Sequence, residues 1–251
     1  IVLTGCIVTH YKWVKWLTHK IRKNYPKSCI IVGNSVAGSC PEVFLRNSAA
    51  DFSVIGEGEL TCLDLLCKLR DGLPTNNIQG IAFIDDKDNF VQTEKRIACN
   101  INDLPMVDWE ILDVQKYLET SDYAGAEGLV VDDTNPPRVM PVSTARGCAF
   151  KCNFCVRSYG AQEGVRSPEN IVEEISQLVK NQGIRSFRFI DDTFTAKPSR
   201  TLEICERLQK EHPTIVWSCL TRIDTLNEPC MRAMKNAGCR RVYIGIESGS
   251  Q

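Results

Sequence analysis

Arg146-Gly147-Cys148-Ala149-Phe150-Lys151-Cys152-Asn153-Phe154-Cys155 follows directly on Val142-Ser143-Thr144-Ala145, a short run that reads as a strand. Three cysteines with x3 and x2 spacing thus sit on the loop that leaves a strand. Loops at the C-terminal ends of parallel strands are where α/β folds build their sites. Three thiolates in so short a loop can take three corners of an iron–sulfur cluster. A structural zinc site usually takes four protein ligands, with paired CxxC knuckles. Three ligands leave one metal position open, which favours chemistry over structure.

Downstream of the loop, helix and strand patterns alternate. Ser167-Pro168 supplies an N-cap and a first-turn proline for a helix carrying Ile171, Ile175, Leu178 and Val179, and Gly183 ends it. Ser186 to Ile190 predicts a strand running into Asp191-Asp192. A helix through Leu202, Cys205 and Leu208 stops at His212-Pro213, and Ile215 to Leu220 is the next strand. Cys230 to Ala237 reads as a helix closed by Gly238, and Arg241 to Ile246 as a fourth strand. Four strands cannot close an eight-stranded barrel. The series is therefore expected to be the first part of one, and the chain a fragment truncated at both ends.

Upstream, Val2-Leu3 with Cys6-Ile7-Val8 predicts a strand, and Val14, Leu17, Ile21 and Tyr25 recur at helical spacing before Pro26. Ser28 to Val32 reads as a buried strand ending at Gly33, Pro41 to Arg46 as a short helix, and Phe52 to Ile55 as a strand. Leu60 to Leu69 predicts a helix stopped by Gly72. Such alternation implies a parallel sheet with helices on both faces. Ile81 to Ile84 and Asn89 to Gln92 flank the turn Asp85-Asp86-Lys87-Asp88. From Asp103 to Pro141 the pattern is irregular, and Asp132-Asp133, Asn135 and Pro136-Pro137 mark a connector. The expected domains are 1–75, a hairpin and connector over 76–141, and 142–251.

With 251 residues, 43% hydrophobic and 24% charged, the chain has globular composition, which excludes a fibrous or wholly disordered protein. Its net charge of −1 gives no general attraction to nucleic acid. No apolar run is long enough to span a membrane, and no signal peptide opens the chain. Thirteen cysteines without a secretion signal indicate a reducing, cytoplasmic setting in which clustered thiols serve as metal ligands.

The cysteine loop resembles the cluster loop of the radical S-adenosylmethionine (SAM) superfamily. The segments Arg166-Ser167-Pro168-Glu169-Asn170, Phe189-Ile190-Asp191-Asp192-Thr193-Phe194, Arg222-Ile223-Asp224 and Gly245-Ile246-Glu247-Ser248-Gly249-Ser250 are similar to the branch with an N-terminal cobalamin-binding domain. Val32-Gly33-Asn34-Ser35 and Gly56-Glu57-Gly58-Glu59-Leu60-Thr61 resemble the strand-ending turn and the GEGE-T signature of that domain. Asn34 departs from it, standing where the branch commonly has a second glycine.

The resemblance implies an α/β fold: a partial Rossmann-like sheet of the cobalamin-binding type, then an incomplete radical SAM partial (β/α) barrel. It implies that Cys148, Cys152 and Cys155 hold a [4Fe-4S] cluster whose fourth iron is chelated by SAM. Arg146 and Phe154 would shape the pocket, and Asp191, Asp192, Arg222, Glu247 and Ser248 would line the SAM cleft. Gly33, Ser35, Gly56 and Glu57 would contact cobalamin. The implied activity is reductive cleavage of SAM to a 5′-deoxyadenosyl radical, serving methyl transfer or radical rearrangement on a small-molecule or lipid-like substrate. An electron donor such as flavodoxin or ferredoxin is implied as partner.

Plainer roles stand beside these. The other ten cysteines can pack as small hydrophobes. Asp191-Asp192 can cap the following helix. Arg222 and Glu247 can form a structural ion pair. The basic stretch from Lys12 to Lys27 can be the solvated face of a helix whose buried stripe is Val14, Leu17 and Ile21. Two other functions remain open: a tRNA methylthiotransferase-like enzyme, since Thr4-Gly5-Cys6 faintly resembles its second-cluster cysteines, and a non-catalytic module held by zinc or a cluster.

Overall fold

Ile30, Ile31 and Val32 are all fully or almost fully buried, the mark of a strand covered on both faces. In the computed structural model, which describes residues 1–120, 139–155 and 164–249, this run is the second strand of the first of two units, Ile1–Cys99 and Asn100–Gln251. The first unit runs β1 (Val2–Gly5), α1 (Tyr11–Asn24), β2 (Ile30–Gly33), α2 (Asn34–Ser39), α3 (Pro41–Arg46), β3 (Phe52–Val54), α4 (Glu59–Arg70), β4 (Ile81–Ile84) and β5 (Phe90–Gln92). Ile30 and Val32 pack with Val14, Ala37 and Phe44 beneath α1 to α3, while Ile31 packs with Val54, Leu65 and Ile81 beneath α4. Side-chain alternation along one strand thus fills two cores.

The strand order is β1-β2-β3-β4-β5. The first three are parallel; β4 and β5 are antiparallel. The hairpin expected in the connector therefore extends the first sheet. Its turn closes as the Asp85 carboxylate accepts the backbone N–H groups of Lys87 and Asn89. β1 is shorter than its apolar run: it ends at Gly5, and Val8–His10 turn as a short 3₁₀ helix. The basic run is not solvated throughout: Arg22 forks onto Asp51 at 2.7 Å and also donates to the carbonyls of Pro26, Ser28 and Ala49.

The second unit runs α5 (Val114–Thr120), β6 (Val139–Val142), β7 (Ala145–Arg146), β8 (Gly164–Val165), α6 (Pro168–Gln182), β9 (Ser186–Phe189), α7 (Pro198–Glu211), β10 (Val216–Thr221), α8 (Glu228–Asn236) and β11 (Cys239–Ile244). Four strands form one parallel sheet in the order β11-β10-β9-β6. α6 matches its sequence signals at both ends: the Ser167 hydroxyl accepts from the Asn170 N–H, and Gly183 takes a φ of 65°. The core beneath the helices holds Ile171, Ile175, Phe187, Phe189, Phe194 and Trp217. The Trp217 indole N–H reaches the Ala237 carbonyl at 2.7 Å. Next to it Gly238, at φ 93°, lies so close to the Ile215 carbonyl that a Cβ there would sit 2.2 Å from its oxygen; only glycine fits.

Asp132 to Pro137, read as the connector, lies outside the described residues, as does Ser250. Among the described residues no helix is long and apolar enough to cross a membrane.

Candidate functional site

The parallel strands β6, β9, β10 and β11 end along one edge of their sheet, and the cysteine loop leaves β6 there. Three side chains pin the start of that loop. Asp191, 2% exposed, accepts the N–H groups of Thr144 at 2.6 Å and Ala145 at 2.9 Å, and the Thr144 hydroxyl. Arg166 donates to the Ser143 carbonyl at 2.8 Å, to Asn170 Oδ1 at 2.6 Å and to the buried Glu174 carboxylate at 2.5 Å. Arg200 reaches the Thr144 carbonyl at 2.6 Å and the Arg166 carbonyl at 3.0 Å. Beyond this anchor β7 pairs with β8, and Gly147 adopts φ 77° to turn the chain into Cys148.

This corrects one expectation. Asp191 is not open to a SAM ammonium; both its oxygens are spent on the loop's backbone and on Thr144. Burial pushes its carboxyl above the ordinary value, against the lowering effect of the donors and of Arg200. Asp191→Ala would leave two buried N–H groups unpaired, and is expected to cost about 2–4 kcal/mol in the urea unfolding of the second unit.

The three cysteines are placed differently from one another. Cys148 is half-buried, with its sulfur 3.7 Å from Thr193 Oγ1. Cys152 Sγ accepts from Arg222 Nη1 at 2.9 Å. Cys155 is exposed, and its N–H points to the Cys152 carbonyl at 3.3 Å. Arg222 is the organising side chain: its guanidinium also stacks over the Phe150 ring, 4.1 Å from the centroid, and is clamped by both oxygens of Asp224 at 2.9 and 2.6 Å. Asp224 is thereby held below the usual carboxylate range. The ion pair weighed between Arg222 and Glu247 does not form, because Asp224, two residues away, occupies the fork.

Among the described residues, no three His, Cys, Asp or Glu side chains are placed to hold a metal ion. The loop carries its sulfurs without closing them on a common centre. Its tip has little packing, with Phe154 64% exposed. Ligand loops commonly take their final form together with the metal. The donor chemistry nevertheless suits an iron–sulfur cluster: three sulfurs on one loop, one of them against a guanidinium.

Asp192, Glu247 and Ser248 are exposed where β9 and β11 end. Glu247 adopts φ 60°, and its carboxylate folds over Gly245 so closely that a Cβ there would lie 2.4 Å from Oε1. Arg146 is half-buried in β7. In the first unit, Gly33 ends β2 and Ser35 lies in the first turn of α2, and Gly56 and Glu57 follow β3, the adjacent parallel strand. Asn34 makes its turn at φ 74°, with its side chain folded against Gly5 and Oδ1 accepting the Ser35 N–H at 2.6 Å. Asparagine is among the few residues that tolerate this conformation.

Residues 142–251 match the family model of the radical SAM superfamily. That stretch is a radical SAM domain. The resemblance read from the cysteine loop is borne out, and so is the α/β partial-barrel fold. An uncharacterized methyltransferase of Pyrococcus horikoshii is 33% identical over 92% of this chain and 48% of its own. The anaerobic magnesium-protoporphyrin IX monomethyl ester cyclase of Synechocystis is 27% identical over 94% of this chain and 45% of its own. The chain thus spans about half the length of these curated relatives. Among solved structures, the cobalamin-dependent SAM radical enzyme OxsB, with aqua-cobalamin and SAM bound, superposes with a TM-score of 0.82 at 21% identity, over 100% of this chain and 36% of its own.

Arg166, Glu174, Arg200 and Thr193, which contact the cysteine loop or one another, are residues that sequence reasoning did not assign. Arg166 and Thr193 lie inside the quoted motifs, which marked them without revealing their partners.

Proposed function

We propose that this chain is the cluster- and SAM-binding portion of a radical SAM enzyme, with Cys148, Cys152 and Cys155 as ligands of a [4Fe-4S] cluster. The observation that carries this reading is the cysteine loop itself: anchored at the end of a parallel strand, with Arg222 set against one of its sulfurs. When bound, such a cluster supplies one electron to SAM, giving methionine and a 5′-deoxyadenosyl radical that takes a hydrogen atom from substrate. Arg222 fixes the Cys152 sulfur and offsets its negative charge. Asp192 and Glu247 present carboxylates suited to the SAM ammonium and ribose hydroxyls, and Ser248 adds a hydroxyl. Arg146 and Phe154 flank the loop as its pocket walls. Asp191 holds the loop's backbone in place.

Gly33, Ser35, Gly56 and Glu57 share one end of the first unit's sheet and would receive cobalamin; OxsB, of the same fold, is solved with that cofactor. Methyl transfer to a small-molecule or lipid-like substrate is the reaction we assign to the full-length enzyme, supported by the P. horikoshii methyltransferase. Flavodoxin or ferredoxin in the cytoplasm would supply the electron.

Anaerobic reconstitution tests the reading. About four irons per chain and formation of 5′-deoxyadenosine from SAM are expected. About eight irons per full-length chain would favour a methylthiotransferase-like enzyme, and a colourless, zinc-loaded protein that leaves SAM intact would establish a binding module instead.

A further inference from the structure

Side-chain alternation sorts the second sheet into two faces. Met140, Val142, Phe187, Phe189, Trp217 and Cys219 pack into the helix-covered core. Arg188 and Ser218 therefore project from the opposite face. The strand register sets Ser218 directly beside Arg188 on β9 and beside Arg241 on β11. Tyr243, two residues beyond Arg241, shares that face. The Arg188 guanidinium lies 5.0 Å from the Tyr243 ring centroid and that of Arg241 lies 5.8 Å from it, while Arg241 Nη1 donates to the Tyr243 hydroxyl at 3.2 Å. Two like charges are thus gathered around one ring. Between the two arginines, Ser218 is fully buried, and its hydroxyl has no hydrogen-bond partner among the described residues.

A buried hydroxyl without a partner is rare in a folded protein and calls for a cause. A pair of guanidinium forks beside it supplies one, because both are built to receive the oxygens of an acid group. We propose that Arg188, Ser218, Arg241 and Tyr243 form an oxyanion subsite on the face of the sheet opposite the helices, which takes a carboxylate or phosphate group of the substrate. The guanidinium groups donate to the oxyanion, the Ser218 hydroxyl donates to it in turn, and the Tyr243 ring keeps the guanidinium planes in position. The word substrate rests on the function proposed above; the binding chemistry does not.

The test uses the chain without iron, so it reads binding independently of SAM cleavage. Calorimetric titration with inorganic phosphate, and separately with acetate, is expected to show saturable binding of at least one of them. R188Q and R241Q should each weaken it about tenfold or more, R188K by less, and the surface variant R70Q not at all. S218A should raise the melting midpoint of the free chain, since it removes the unpaired hydroxyl, while weakening the anion several-fold. Absence of binding at millimolar anion, or equal affinity in R188Q, R241Q and the parent chain, would overturn the subsite. So would a parallel loss of SAM affinity in R188Q and R241Q, which would assign the arginines to the cofactor. A chain that cleaves SAM but ignores both anions sinks only this inference; one that binds an anion but never cleaves SAM sinks only the enzymatic reading.

Discussion

Replacing Cys148, Cys152 or Cys155 singly with alanine is expected to lower iron loading and to cut 5′-deoxyadenosine formation by at least about a hundredfold. Even outer-shell partners of a metal site commonly cost ten- to a hundredfold when removed, and loss of a direct ligand costs more. The three variants should keep the melting behaviour of the parent chain in its iron-free form. None of the three sulfurs belongs to the second unit's core, and Cys155 is exposed. The same replacement at Cys205 or Cys219, both buried in that core, should show the reverse: reduced stability with iron binding retained. Iron analysis and a melting curve on the same five samples separate ligands from packing residues. Full iron occupancy in any one of the three loop variants would remove that cysteine from the ligand set.

The second large effect falls on stability. Arg166 and Glu174 are paired at 2.5 Å, with side chains only 11% and 2% exposed. Removing one partner strands the other charge in a medium that solvates it poorly, so Arg166→Ala should destabilise the second unit by about 3–5 kcal/mol. Glu174→Leu alone should cost a comparable amount. Replacing both, as Arg166→Met with Glu174→Leu, should cost less than the sum of the two, because no lone charge remains. Urea midpoints for the three chains check this. Arg166 also donates to Ser143, at the foot of the cysteine loop, so Arg166→Ala should reconstitute with less iron than its stability alone accounts for.

Local signals were readable from the sequence, and distant ones were not. The period of Ile171, Ile175 and Leu178 placed α6, and Ser167 and Gly183 fixed its ends, because caps and buried stripes act within a few residues. The three cysteines were readable for the same reason. Asp191 was not: its partners, Thr144 and Ala145, lie nearly fifty residues earlier in the chain, and such a hydrogen bond leaves no periodic trace. Arg222 was singled out for the site, but its partner was misjudged, since Asp224 is nearer in sequence and better placed than Glu247. α5 was hidden because Val114 and Leu118 alone mark its buried side. α2 was hidden because Asn34-Ser35-Val36-Ala37-Gly38-Ser39 is a poor helix former, held instead by the Val36 N–H bonded to the Cys6 carbonyl. The hairpin was visible, but not the sheet it would join, since pairing of β4 with β3 is a long-range choice.

The foot of the cysteine loop is locked by Asp191, Arg166 and Arg200, whereas its tip lies open to water. If the three sulfurs take the proposed cluster, assembly of the scaffold would not wait on the supply of inorganic sulfide and iron. A newly synthesised chain would then mature first and take up its ligand afterwards, and one that lost the ligand would keep its frame.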